Sequence, residues 1–173
     1  QTFAHQQSSK DIIIHLVGDV HGERAIKREA LPTLKKYFNS GDLNIFNLET
    51  AVTDYEVKEE KEYNFKTDLA FLKVLKEIGF NVATVANNHS YDYGLPGFMD
   101  TLQSLKAAGI SYVGGGKNSE NAYHGRVYKV RGVRIGVLGF AKVNGGPDSI
   151  AKKDKPGITD GYDARSTEDA ITH

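Results

Sequence analysis

Val82-Ala83-Thr84-Val85-Ala86-Asn87-Asn88-His89 is an apolar run that stops abruptly in two amides and an imidazole. The same event occurs twice earlier. Asp11-Ile12-Ile13-Ile14-His15-Leu16-Val17-Gly18 runs into Asp19-Val20-His21, and Leu43-Asn44-Ile45-Phe46 runs into Asn47-Leu48-Glu49. Short apolar runs between helical patterns read as strands of an α/β sheet, and the nearly continuous run at 11–18 as a strand covered on both faces. Binding sites in such sheets lie at the carboxyl ends of the strands, where all three polar groups fall.

The segments between and beyond these runs complete an alternating pattern. Residues 24–38 predict a helix from Ala25, Ile26, Ala30, Leu34 and Phe38, with a break expected near Pro32. A second helix is expected after Thr67 or Asp68 as cap, with Leu69, Leu72, Leu75 and Ile78 inward and Gly79 as its stop. Residues 80–86 are read as a strand. Pro96 opens a further helix that carries Phe98, Leu102 and Leu105 and ends at Gly109, and Ile110 to Val113 follows as a short strand. Val127–Val130 and Val133–Leu138 flank Arg131-Gly132 and predict a β-hairpin. The order is βαβαβα followed by antiparallel strands, which implies mixed sheets, two of them packed together. The charged stretch within residues 50–66 reads as a solvated loop or as a loop over the site edge. Residues 142–162 show no regular pattern, and residues 163–172 begin a helical one. Residues 1–10 read as a linker or a frayed end, and 11–173 as one incomplete domain.

With 173 residues, 39% of them apolar and 25% charged, the chain has enough material for one globular core. Lys+Arg and Asp+Glu both total 22, so no basic excess points to nucleic acid. There is no cysteine, which leaves nitrogen and oxygen as metal donors. No apolar run reaches the roughly 20 residues needed to span a bilayer.

Asp19 and His21 can offer a carboxylate and an imidazole to one ion; Asp19 also reads as a helix cap or turn residue beside an exposed His. Glu49 can bridge two cations or stand as an ordinary strand-end glutamate. Asn88 adds an amide oxygen, and His89 a general acid or a hydrogen-bonding partner of Asp92. Together at three strand ends they point to one shared site. His15 falls inside a strand and is assigned to the core or the sheet face, and His124 to an exposed turn.

These motifs carry a resemblance. Gly18-Asp19-Val20, Asn47-Leu48-Glu49 and Ala86 to Gly94 resemble the CapA family of bacterial capsule (poly-γ-glutamate) synthesis proteins, as do Tyr112 to Gly116 and Gly132 to Phe140. The match covers roughly residues 11–141. The family in turn resembles calcineurin-like metallophosphoesterases, which implies an α/β/β/α sandwich and two divalent metals (Mn, Fe, Zn or Mg). The resemblance makes Asp19 and His21 ligands of the first metal, Glu49 the bridge and Asn88 a ligand of the second. It makes His89 the catalytic group, with Tyr91, Asp92 and Tyr93 orienting it from behind. It implies hydrolysis or transfer on a phosphate or γ-glutamyl substrate, in an extracytoplasmic, membrane-associated setting at the cell envelope. An anionic polymer or phosphate is the expected substrate, a membrane synthase complex or a homo-oligomer the expected assembly. The lysines of residues 142–162 are either substrate contacts or part of a solvated loop. The other reading is a scaffold component without activity. The family's His-Trp-Gly-x-Glu and Gly-His-His-Pro-His segments have no counterpart here, so half a site, weak metal binding and little activity are expected of this chain alone.

Overall fold

Ten strands and four helices follow one another in the computed structural model, which describes residues 11–23 and 26–162. They are β1 (Ile14–Val20), α1 (Leu31–Phe38), β2 (Leu43–Leu48), β3 (Ala51–Val52), β4 (Lys66–Thr67), α2 (Leu69–Ile78), β5 (Val82–Thr84), α3 (Gly94–Ala108), β6 (Ser111–Val113), β7 (Gly115–Gly116), α4 (Ser119–Tyr123), β8 (Arg126–Val130), β9 (Val133–Val137) and β10 (Gly157–Ile158). The expected linker at residues 1–10, residues 24–25 and the helical pattern beyond Tyr162 lie outside the described residues; the helix expected over 24–38 is α-helical only from Leu31, Lys27 being extended.

β1, β2, β5 and β6 form one parallel sheet in that order. The alternation of helix and strand produces it, because parallel neighbours require a crossover. Among the described strands β8–β9 and β7–β10 pair antiparallel, while β3 and β4 pair in parallel. The molecule is thus an α/β protein with a four-stranded parallel sheet and three two-stranded ones, and no described sheet mixes directions.

The core lies between this sheet and its helices. Phe46, Leu48, Ala83 and Val85 from the strands meet Leu72, Leu75 and Ile78 of α2 and Phe98, Leu102 and Leu105 of α3. α2 begins where Asp68 accepts a hydrogen bond from the Phe71 amide and ends at Gly79, whose φ of 121° an L side chain rarely adopts. Pro32 sits in the first turn of α1, behind a 3-10 turn at Arg28–Ala30. It therefore breaks nothing, because a proline there has no intrahelical bond to lose. β5 is shorter than its apolar run, which turns into the site after Thr84. Residues 142–162 are irregular yet anchored: β10 pairs with β7, and Ala141 bridges Asp160.

β1 corrects one expectation. Its run implied cover on both faces, but it is an edge strand, with Ile14 41% and Leu16 78% exposed. The opposite face is occupied. His15 Nδ1 lies 2.7 Å from Asn44 Oδ1, and its ring stacks on Tyr37, as a sheet-face histidine should.

Candidate active site at the carboxyl ends of β1, β2 and β5

An irregularity in β1 places Asp19. Val17 pairs with Phe46, but Asp19 pairs with Asn47, so Gly18 is an extra residue in the ladder. A one-residue slip moves a side chain to the other face of a sheet. The bulge thus turns Asp19 onto the Asn47 side, where Asn47 donates to Asp19 Oδ1 at 2.7 Å. Asn87 continues the line across the sheet, donating to Asn47 Oδ1 and to the Leu48 carbonyl, each at 2.9 Å. Its own Oδ1 accepts from the His89 amide at 3.0 Å and from Ser90 Oγ at 3.2 Å. Two amides therefore link Asp19 to the backbone of His89 through three strand ends.

Glu49 follows β2, and its amide donates to the Val20 carbonyl at the end of β1 at 3.0 Å. Its carboxyl is held above its ordinary value, first by burial and then by the charge of Asp19, with which it shares a hydrogen bond; His89 and His21 pull the other way. Asp19, His21, Glu49 and His89 are therefore electrostatic neighbours. Asn88 is half-buried, and its carbonyl accepts from Lys61 Nζ at 2.9 Å.

His89 is 8% exposed, and its Nδ1 lies 2.8 Å from Asp92 Oδ2. Asp92 is fully buried and also accepts from the Phe65 amide at 2.6 Å, while its other oxygen forms an ion pair with Lys61. Lys61 Nζ is 3.5 Å from His89 Nδ1. The Phe65 ring stands between the two imidazoles, with centroids 4.9 Å from His21 and 4.2 Å from His89. The charged loop thus contributes Lys61 and Phe65 to the site. Sequence reading missed both, as well as the bridging work of Asn47 and Asn87. A lone phenylalanine after a charge run carries no periodic signal, whereas the amides were visible as polar ends of apolar strands.

Tyr91 faces away from His89. Its ring stacks on Phe98 and its hydroxyl donates to the Pro156 carbonyl at 2.8 Å. Tyr93 lies under Lys66 Nζ, 5.1 Å from the ring centroid. Lys155 is paired with Asp148 at 2.9 Å. A cavity of about 330 Å³ near Thr53, Asp68 and Asp100 includes none of the five motif residues.

The donor types suit a divalent cation: burial and then the neighbouring charge of Asp19 raise the proton affinity of Glu49, and a cation would relieve both. Stacking on Phe65 leaves the in-plane ring nitrogens of His21 unblocked. Among the described residues, however, no three His, Asp or Glu side chains converge as a ligand shell.

A family model described as "Bacterial capsule synthesis protein PGA_cap" matches residues 12–172. The chain belongs to the PGA_cap family. Similar proteins include the PGA biosynthesis protein CapA of Bacillus subtilis, 34% identical over 154 residues, and the capsule biosynthesis protein CapA of Bacillus anthracis, 33% identical over 168. These alignments cover 82% and 88% of this chain and 40% of each relative. A probable polyglutamine synthesis accessory protein of Mycobacterium tuberculosis is 32% identical over 134 residues, covering 75% of the chain and 35% of the relative. This PGA_cap chain therefore spans about two fifths of the length of the first two. No helix among its described residues is long and apolar enough to cross a membrane.

Proposed function

We propose that the chain serves capsular poly-γ-glutamate synthesis at the cell envelope, and that its strand-end cluster is a metal-dependent centre for hydrolysis or transfer on a phosphate or γ-glutamyl substrate. The observation that carries this is the hydrogen-bonded line at three strand ends, from Asp19 through Asn47 and Asn87 to the His89 amide, with Glu49 electrostatically coupled to Asp19. Asp19 and His21 would hold one divalent cation, Glu49 would bridge and Asn88 would hold a second, with further donors from outside this chain completing the shell. When bound, such cations lower the pKa of a shared water and neutralise charge on a phosphoryl or acyl oxygen.

The chain's own groups do the rest. Asp92 holds His89 through Nδ1, which leaves Nε2 as the nitrogen for proton transfer. Lys61 balances the Asp92 charge, and Phe65 screens the flank of both imidazoles from water. In this reading the β8–β9 hairpin begins the second sheet of an α/β/β/α sandwich, and the protein works extracytoplasmically beside a membrane synthase.

Calorimetric titration with Mn²⁺ or Zn²⁺ tests the centre. Weak binding is expected for the wild type and none for Asp19→Asn or Glu49→Gln. Phosphodiesterase and γ-glutamyl hydrolase assays on a form that also carries the remaining length of its relatives should lose activity with Asn88→Ala. No cation-dependent heat in either form, with function intact in Asn88→Ala, would leave the scaffold reading standing instead.

A further inference from the structure

Two adjoining cavities flank the other edge of the sheet. One, of about 390 Å³, is lined by Val113, Gly115, Lys117, His124 and Arg126, among others; the second, of about 690 Å³, lies against α3 and includes Lys106. They share Tyr112 and Lys117, so they form one groove along edge strand β6. No Asp or Glu lines either part. That is a segregated surface in a chain whose charges sum to zero, and the cavity near Thr53 shows the opposite sign with Asp54, Asp68 and Asp100.

The cations are set rather than incidental. Arg126 donates from Nε to the Tyr112 carbonyl at 3.0 Å and lies over the Tyr112 ring at 5.5 Å, so its guanidinium is held at the groove. Lys106 and Lys117 are exposed, and among the described residues neither is in an ion pair. The start of α4 is closed by Asn118, which accepts from the Asn121 amide. Side-chain cations spread along a groove, not a backbone cradle, are therefore what a ligand meets. Such a surface suits a chain with repeated negative charges better than a single compact phosphate.

The groove opens at the end of β6, next to β5 in the parallel sheet. Val113 pairs with Thr84, four residues before Asn88. Neighbouring strands lie about 4.8 Å apart, so the mouth of the groove and the strand-end cluster share one sheet edge.

We propose that the β6 groove binds a polycarboxylate chain and leads it toward the Asp19–Glu49–His89 cluster. The polymer's identity rests on the capsule reading above; the binding does not require the metal centre. Fluorescence anisotropy of labelled poly-γ-glutamate, titrated with the chain in EDTA, tests it independently of that centre. Binding should weaken as salt rises. Lys106→Gln/Lys117→Gln should bind roughly five- to tenfold more weakly, two exposed charge contacts at up to about 1 kcal/mol each. Lys36→Gln/Lys73→Gln, exposed on α1 and α2 and lining neither cavity, should stay within about twofold, with circular dichroism confirming both folds. Absence of binding by the wild type, or equal loss in both variants, overturns the proposal. Unlabelled polyphosphate should compete less well than unlabelled polyglutamate of equal charge; stronger competition would assign the groove to phosphate polymers and refute the polycarboxylate.

Discussion

At the residue scale Glu49 is the group whose chemistry can be read most directly. Its proton affinity is raised by burial and by Asp19, so the folded state holds a proton that the unfolded chain releases near pH 4.5. Stability from this group is present below pH 4.5 and is lost as pH rises through the raised folded value. Glu49→Gln removes the charge that burial and Asp19 oppose. It should raise the melting temperature at pH 7 relative to wild type and make little difference at pH 4, read by thermal denaturation at both pH values. Asp92 contributes through its hydrogen bonds. It is buried and satisfied by His89, Phe65 and Lys61, so Asp92→Ala should cost about 3 kcal/mol in urea denaturation by leaving buried partners unmatched. Shifts in the imidazole nitrogen resonances of His89 should accompany the change.

The elements divide according to where their information sits. α2 is governed locally: Asp68 and Gly79 mark its ends and three apolar residues its inner face. Asp68→Ala should therefore cost about 1 kcal/mol, measured as a shift in the denaturation midpoint. The hairpin was equally legible, because Arg131 and Gly132 both adopt positive φ, 46° and 86°, which a two-residue turn of this kind demands. The spacing of the strand-end motifs also revealed which sheet edge to inspect. The bulge at Gly18 was not legible, since register depends on the partner strand rather than on β1 alone. Nor was the exposed face of β1: an apolar run reports what a strand is built to bury, while only the assembled sheet shows whether anything covers it. Lys61 and Phe65 reach the site through a loop with no period to read.

For the whole molecule, that uncovered face has a measurable outcome. Ile14 and Leu16 present apolar surface on a strand that, among the described residues, pairs along one side only, the combination that promotes edge-to-edge association. Leu16→Glu should suppress concentration-dependent self-association in sedimentation velocity while changing stability by less than about 0.5 kcal/mol. An unchanged sedimentation profile in the variant would show that this edge does not drive contact between copies.

Phe65 makes the two imidazoles the outer members of a three-ring stack. His21 follows β1 and His89 follows β5, yet the ring that separates them arrives from neither strand. The width of the gap is consequently set where β4 begins: the Phe65 carbonyl accepts from the Ala51 amide of β3 at 3.1 Å, and its own amide donates to Asp92. A short two-stranded ladder beside the main sheet therefore works like a shim, fixing the spacing of two imidazoles that belong to other strands.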